Sequence, residues 1–158
     1  MGLDATVYCD CFERGRHRTP PHPEWCVYVD ESGARFAKTA DLEQDWAFEK
    51  WNVDACEHEG GVLLHHWLGN ISAIGLIRET LSQTALQYPI VLSKVIYSGS
   101  HGGDYLPFPL VSELQSEVDL LAELHPQNPV AAEWIQDFEQ KLRELIDAAT
   151  QVRKPISF

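Results

Sequence analysis

The chain has 158 residues, 44% hydrophobic and 23% charged, a balance that suits one folded domain with an ordinary core and excludes a disordered chain. Its formal charge of −12 leaves too few cations for nucleic-acid binding, which needs clustered Lys and Arg. The excess of carboxylates fits either a well-solvated surface or one that meets a basic protein partner.

No apolar run approaches the roughly 18 residues that cross a bilayer, and residues 1–4 lack the basic start of a signal peptide. The expected setting is the cytoplasm, with no membrane partner. There the four cysteines stay reduced.

From the N-terminus, residues 5–11 alternate with period two, placing Ala5, Val7, Cys9 and Cys11 on one face of a strand. Residues 14–24 hold Pro20, Pro21 and Pro23 and read as a surface loop, which also contains the one basic stretch, Arg14, Arg16 and Arg18. Residues 25–29 and 34–38 form a hairpin across Gly33, with Cys26 mid-strand, buried and inert. Thr39 or Asp41 caps a helix reaching about Trp51, with Leu42, Trp46 and Ala47 turned inward. Residues 52–61 break the pattern.

Asn70 caps the next helix, whose inner side carries Ile71, Ile74, Ile77 and Leu81, although that helix has room to begin near Leu63. Residues 90–97 are apolar on both faces, as in a central strand. Val111, Leu114, Val118, Leu121 and Leu124 then form a helical stripe, with Ser112 and Gln115 at capping-box spacing. Asn128 and Pro129 open a last helix with Val130, Trp134, Phe138, Leu142 and Leu145 inward. The expected fold is a single α+β domain over residues 1–158. It has a small antiparallel or mixed sheet with a hairpin, packed by about four helices including a C-terminal antiparallel pair.

Three constellations carry possible chemistry. Cys9-x-Cys11 and Cys56-x-His58 supply four soft or borderline ligands, the set a tetrahedral Zn²⁺ takes. This requires the loop at Cys56 to return to the first strand. Otherwise Cys9 and Cys11 simply extend the Val7 core face as small hydrophobes, and no cofactor is bound. A disulfide between them is disfavoured, since two residues of strand separate their Cα atoms by roughly 6.6 Å.

The second constellation is Ser98-Gly-Ser100-His101-Gly102-Gly103-Asp104, a loop whose glycines free the backbone and in which His101 and Asp104 can pair as acid and base. Ser98, Ser100, Gly102 and Gly103 are its candidate ligand-binding residues. It lacks the G-K-[ST] of a phosphate loop and the G-x-S-x-G of a nucleophile elbow, and a plain tight turn remains the alternative.

Third, His65 and His66 lie beside Glu57 and Glu59, but adjacent helical positions diverge by about 100°, and H-E-x-x-H is absent. Trp25 and Trp67 border loops and are the candidate surface aromatics for a partner.

The opening MGLDATVYCDCF, with CEHEG at 56–60 and YSGSHGGD at 97–104, resembles a group of bacterial cytosolic proteins without an established activity. The resemblance spans most of the chain. It implies a bacterial cytoplasmic setting and no mechanism. The functional expectation is a non-catalytic binding protein, of immunity or adaptor type, whose acidic surface meets a basic protein. The alternative is a small metal-dependent enzyme with Cys/His ligands and His101 and Asp104 as acid and base; oligomeric state is not legible.

Overall fold

A computed structural model describes residues 2–84, 87–97, 101 and 104–158. The strand expected at the N-terminus forms β1 (Gly2–Tyr8), and its alternation holds: Leu3, Ala5 and Val7 are buried, as are Cys9 and Cys11 beyond its end. β1 pairs antiparallel with β4 (Val62–Asn70), and the short strands β6 (Ile156–Ser157) and β5 (Tyr105–Leu106) extend the sheet in the order β4-β1-β6-β5.

The paired strands β1 and β4 flank a long excursion through residues 9–61. It contains the hairpin β2 (Cys26–Val29) and β3 (Arg35–Lys38), then helix α1 (Leu42–Val53). Gly33, at φ 88°, makes the turn that closes the hairpin. After β4 the chain forms α2 (Ile71–Ser82), a π-helical turn (Val91–Val95), α3 (Phe108–Ala122) and α4 (Pro129–Val152). The α+β class, the hairpin and the packed C-terminal helices are therefore as expected.

Two cores result. The larger lies between the sheet and α2, α3 and α4, with Ile77, Leu81, Leu114, Phe138, Leu142 and Leu145 among its buried members. The smaller sits inside the excursion and has four buried residues, Trp25, Phe48, Trp51 and Ala55. A core of that size stabilises little by itself, because burial per residue falls steeply in small units.

Several expectations are corrected. Residues 90–97 are not a strand: Ile90, Val91, Val95 and Ile96 share the inner side of a helical turn. The Glu117 carboxylate accepts from the backbone N–H of Ile90 and Val91, both at 2.8 Å, and so satisfies donors that a strand would have paired with a neighbour. The helix after Asn70 does not begin near Leu63, because β1 pairing claims residues 62–70; the Asn70 side chain instead caps α2 at Ala73 N–H.

In α1 the inner face is Phe48 and Trp51, while Leu42 and Trp46 face outward at 64% and 70% exposure. Ile71 and Val130 are exposed rather than inward, each lying in the first turn of its helix beyond the reach of the core. Trp134 is half-buried against the core, and Phe138 fully buried. Ser112 is no cap: α3 begins after Pro107, and Ser112 bonds back to the Pro109 carbonyl within it. Cys26 is exposed, on the outer face of a two-stranded ribbon.

Candidate metal centre

Where β1 ends, its antiparallel pairing persists for one more residue: Cys9 N–H donates to the Gly61 carbonyl at 2.8 Å. The chain then turns tightly, closed by Arg14 N–H to the Asp10 carbonyl and Arg16 N–H to the Cys11 carbonyl. The buried Asp10 carboxylate holds that turn through Arg14 and Arg16. On the return path α1 ends at Asp54, and residues 55–58 run back alongside; Arg18 N–H to the Ala55 carbonyl, 2.6 Å, ties the two strands of the neck together. The loop at Cys56 does come back to the first strand.

The convergence is close. The ligand atoms of Cys9, Cys11, Cys56 and His58 all lie within 4.8 Å of one another. The sulfurs of Cys9 and Cys56 are 3.7 Å apart, and the Cys11 sulfur is 3.4 Å from His58 Nδ1. A tetrahedron built on Zn–S of 2.3 Å and Zn–N of 2.05 Å has edges of about 3.8 Å between sulfurs and about 3.6 Å from sulfur to nitrogen. Two of the six edges thus have metal-site length already. The four cysteines of the chain are free thiols, and Cys9 and Cys11 form no disulfide.

The electrostatics of the cluster are unusual for a plain core. Arg35, on β3, is buried, and its Nη1 points at the Cys56 sulfur from 3.7 Å while Nη2 donates to the Asn52 carbonyl at 3.2 Å. Its Nε finds no partner among the described residues. Gly61, at φ +76°, gives the guanidinium room: a Cβ there would stand 2.6 Å from Nη2.

Burial pushes the Cys11 thiol up to about 12, reinforced by Cys9 and Cys56, and burial raises Cys9 as well. Burial would also raise Cys56, but its hydrogen bonds at the His58 backbone and from Cys9, together with the Arg35 charge, outweigh it and hold this thiol below its ordinary value. Three thiols packed this closely cannot all ionise unaided. A divalent cation among them removes that conflict.

The other candidates fall elsewhere. His101 Nδ1 stands 3.6 Å from Asp104 Oδ2, and the Tyr97 hydroxyl also donates to that carboxylate. The imidazole packs on the Tyr97 and Phe158 rings, and burial, with the charge of Arg78, pulls its pKa down against the opposing pull of Asp104. Ser98, Ser100, Gly102 and Gly103 lie outside the described residues.

His65 and His66 alternate across β4, the first bonding Thr6 and facing Asp4, the second meeting Glu144 at 2.7 Å. Trp67 is half exposed, at 52%, with Lys141 over its ring. Trp25 corrects the other expectation: it is 5% exposed, edge-on to Phe48 and Trp51, with its indole N–H given to Gln44. The proline-rich loop beside it suggested a surface position, yet that loop covers it, with His22 stacked on the ring at 4.7 Å.

Sequence reasoning missed Arg35, Gly61 and Asp10. For the first, the sequence offered only an arginine opening a hairpin strand that a second cation, Lys38, closes. Compared with models of protein families, with curated proteins and with solved structures, the chain shows no match.

Proposed function

We propose that this chain is a non-catalytic binding protein whose excursion, residues 9–61, is stapled at its neck by a structural zinc ion on Cys9, Cys11, Cys56 and His58. The observation carrying this reading is the convergence of four ligand atoms within 4.8 Å, two contributed where the excursion leaves the sheet and two where it returns. The small core around Trp25 and Trp51 is the kind of unit that needs such a staple.

Arg35 adds independent support. Three thiolates and one neutral imidazole around Zn²⁺ sum to a single negative charge, and the buried guanidinium beside Cys56 neutralises it. Without charged sulfurs, a buried cation paired with no carboxylate among the described residues would be costly. A cleft of about 450 Å³ bounded by Cys9, Asp10, Arg16, Glu57 and His58 gives the metal a way in.

Four protein ligands fill a tetrahedral ion and leave no position for substrate or water, which favours a structural role over the metal-enzyme alternative. The net charge of −12 makes a basic protein the fitting partner. Metal analysis of protein purified without chelator or polyhistidine tag tests the reading. One equivalent of zinc is expected, falling well below that in Cys9→Ser and Cys56→Ser. Metal-free wild-type protein that refolds unchanged in zinc buffer without taking up the ion would refute it.

A further inference from the structure

The outer face of the excursion has no cover among the described residues. On α1, Leu42, Trp46 and Val53 form one stripe at helical spacing, all exposed, and Trp46 at 70% is the most exposed tryptophan among the described residues. Beside them on β3 stands Phe36, itself 44% exposed, and between helix and strand runs a groove of about 540 Å³. Four large apolar side chains lining a single groove differ from the scattered exposed hydrophobes of an ordinary surface.

The groove has a sign. Asp45 and Glu49 lie in its wall, Glu43 stands in the first turn of the helix and Asp41 and Asp54 cap its ends, against Lys38 and Lys50 nearby. The one cation in the wall, Arg35, is turned inward to Cys56 and Asn52. A second copy of this chain would bring carboxylates against carboxylates, and an acidic or neutral segment would gain nothing from them. The groove fits an apolar segment flanked by Lys or Arg.

We infer that the groove between β3 and α1 is the docking site for a basic, apolar segment of a partner protein, with Trp46 as its anchor. Aromatic anchors in a groove rimmed by charge are where binding energy concentrates. This deepens the binding-protein reading and does not depend on the metal.

A random twelve-residue peptide library displayed on phage, selected on the zinc-treated full chain, provides the probe. Enriched peptides should combine aromatic or aliphatic residues with Lys or Arg. Synthetic copies of them should bind Trp46→Ser at least roughly ten-fold more weakly. Trp46 is exposed, so that variant should melt with the wild type. Asp45→Lys/Glu49→Lys should weaken binding and flatten its salt dependence while leaving Trp46 in place.

No enrichment, enrichment of acidic peptides, or binding indifferent to both variants would overturn the inference. So would a dimer at micromolar concentration that Trp46→Ser dissociates, since the groove would then belong to a second copy. Peptide binding that survives complete metal removal would leave the groove standing and count against the zinc staple alone.

Discussion

At the scale of single residues, Arg35 connects the Cys/His cluster to the hairpin. Its guanidinium is buried, meets the Cys56 sulfur and the Asn52 carbonyl, and occupies space that a side chain at position 61 would contest. Groups that brace a metal ligand typically change affinity by 10–100-fold when removed. Arg35→Leu should therefore weaken zinc retention by about that factor, read by competition with a coloured chelator. Affinity equal to wild type would mean that the guanidinium merely fills space.

His101 supports a separate prediction. Burial, helped by Arg78 and opposed by Asp104, holds its folded pKa below the ordinary value of about 6.5. The unfolded chain then binds the proton more readily, so this residue's contribution is complete above about 6.5 and is lost as pH falls through the folded value. His101→Phe should remove that part of the acid-side loss of stability, seen in denaturant midpoints followed downward from about pH 7. An unaltered slope would place the imidazole in solvent-like surroundings.

At the scale of elements, α4 shows how far periodicity reaches. Its inner face includes Ile135, Phe138, Leu142 and Leu145, all packed into the main core, and Asn128 caps it through Val130 N–H. Phe138→Ala should cost about 3–5 kcal/mol in denaturant unfolding, because an aromatic ring leaves a cavity there. Trp134→Ala should cost clearly less, its ring being only half-buried. Equal losses would contradict the placement of that face.

The legible elements are those with a single apolar stripe. In α1 two stripes compete, Leu42 with Trp46 and Phe48 with Trp51, and local sequence holds nothing to choose between them. The choice is made by Trp25, which lies on a different element and needs Phe48 and Trp51 as neighbours. Residues 90–97 failed for a related reason: a doubly apolar run fits a buried strand or a buried turn, and the deciding group, Glu117, is far along the chain. The Cys/His set was nameable from residue type and strand alternation. Its closure depended on the neck geometry, which no local pattern encodes.

At the scale of the whole molecule, the chain reads as a sheet-and-helix body with an excursion inserted between two neighbouring strands. The body has a large core and should stand alone. The excursion has an apolar core of four buried residues and a neck of candidate ligands. Chelation should therefore open the excursion first: proteolysis should appear within residues 13–24 and the fluorescence of Trp25 and Trp51 should shift, while α3 and α4 stay protected. Simultaneous loss of both regions would show that the metal supports the whole fold, and no change in either would remove its structural role.

The central claim is the proposed zinc site, and zinc K-edge X-ray absorption of the tag-free protein reads its ligand shell directly. The account predicts three sulfur scatterers at about 2.3 Å and one nitrogen at about 2.0–2.1 Å. In Cys11→Ser the sulfur count should drop to two. A shell of nitrogen and oxygen alone, or one unchanged by that substitution, would contradict it.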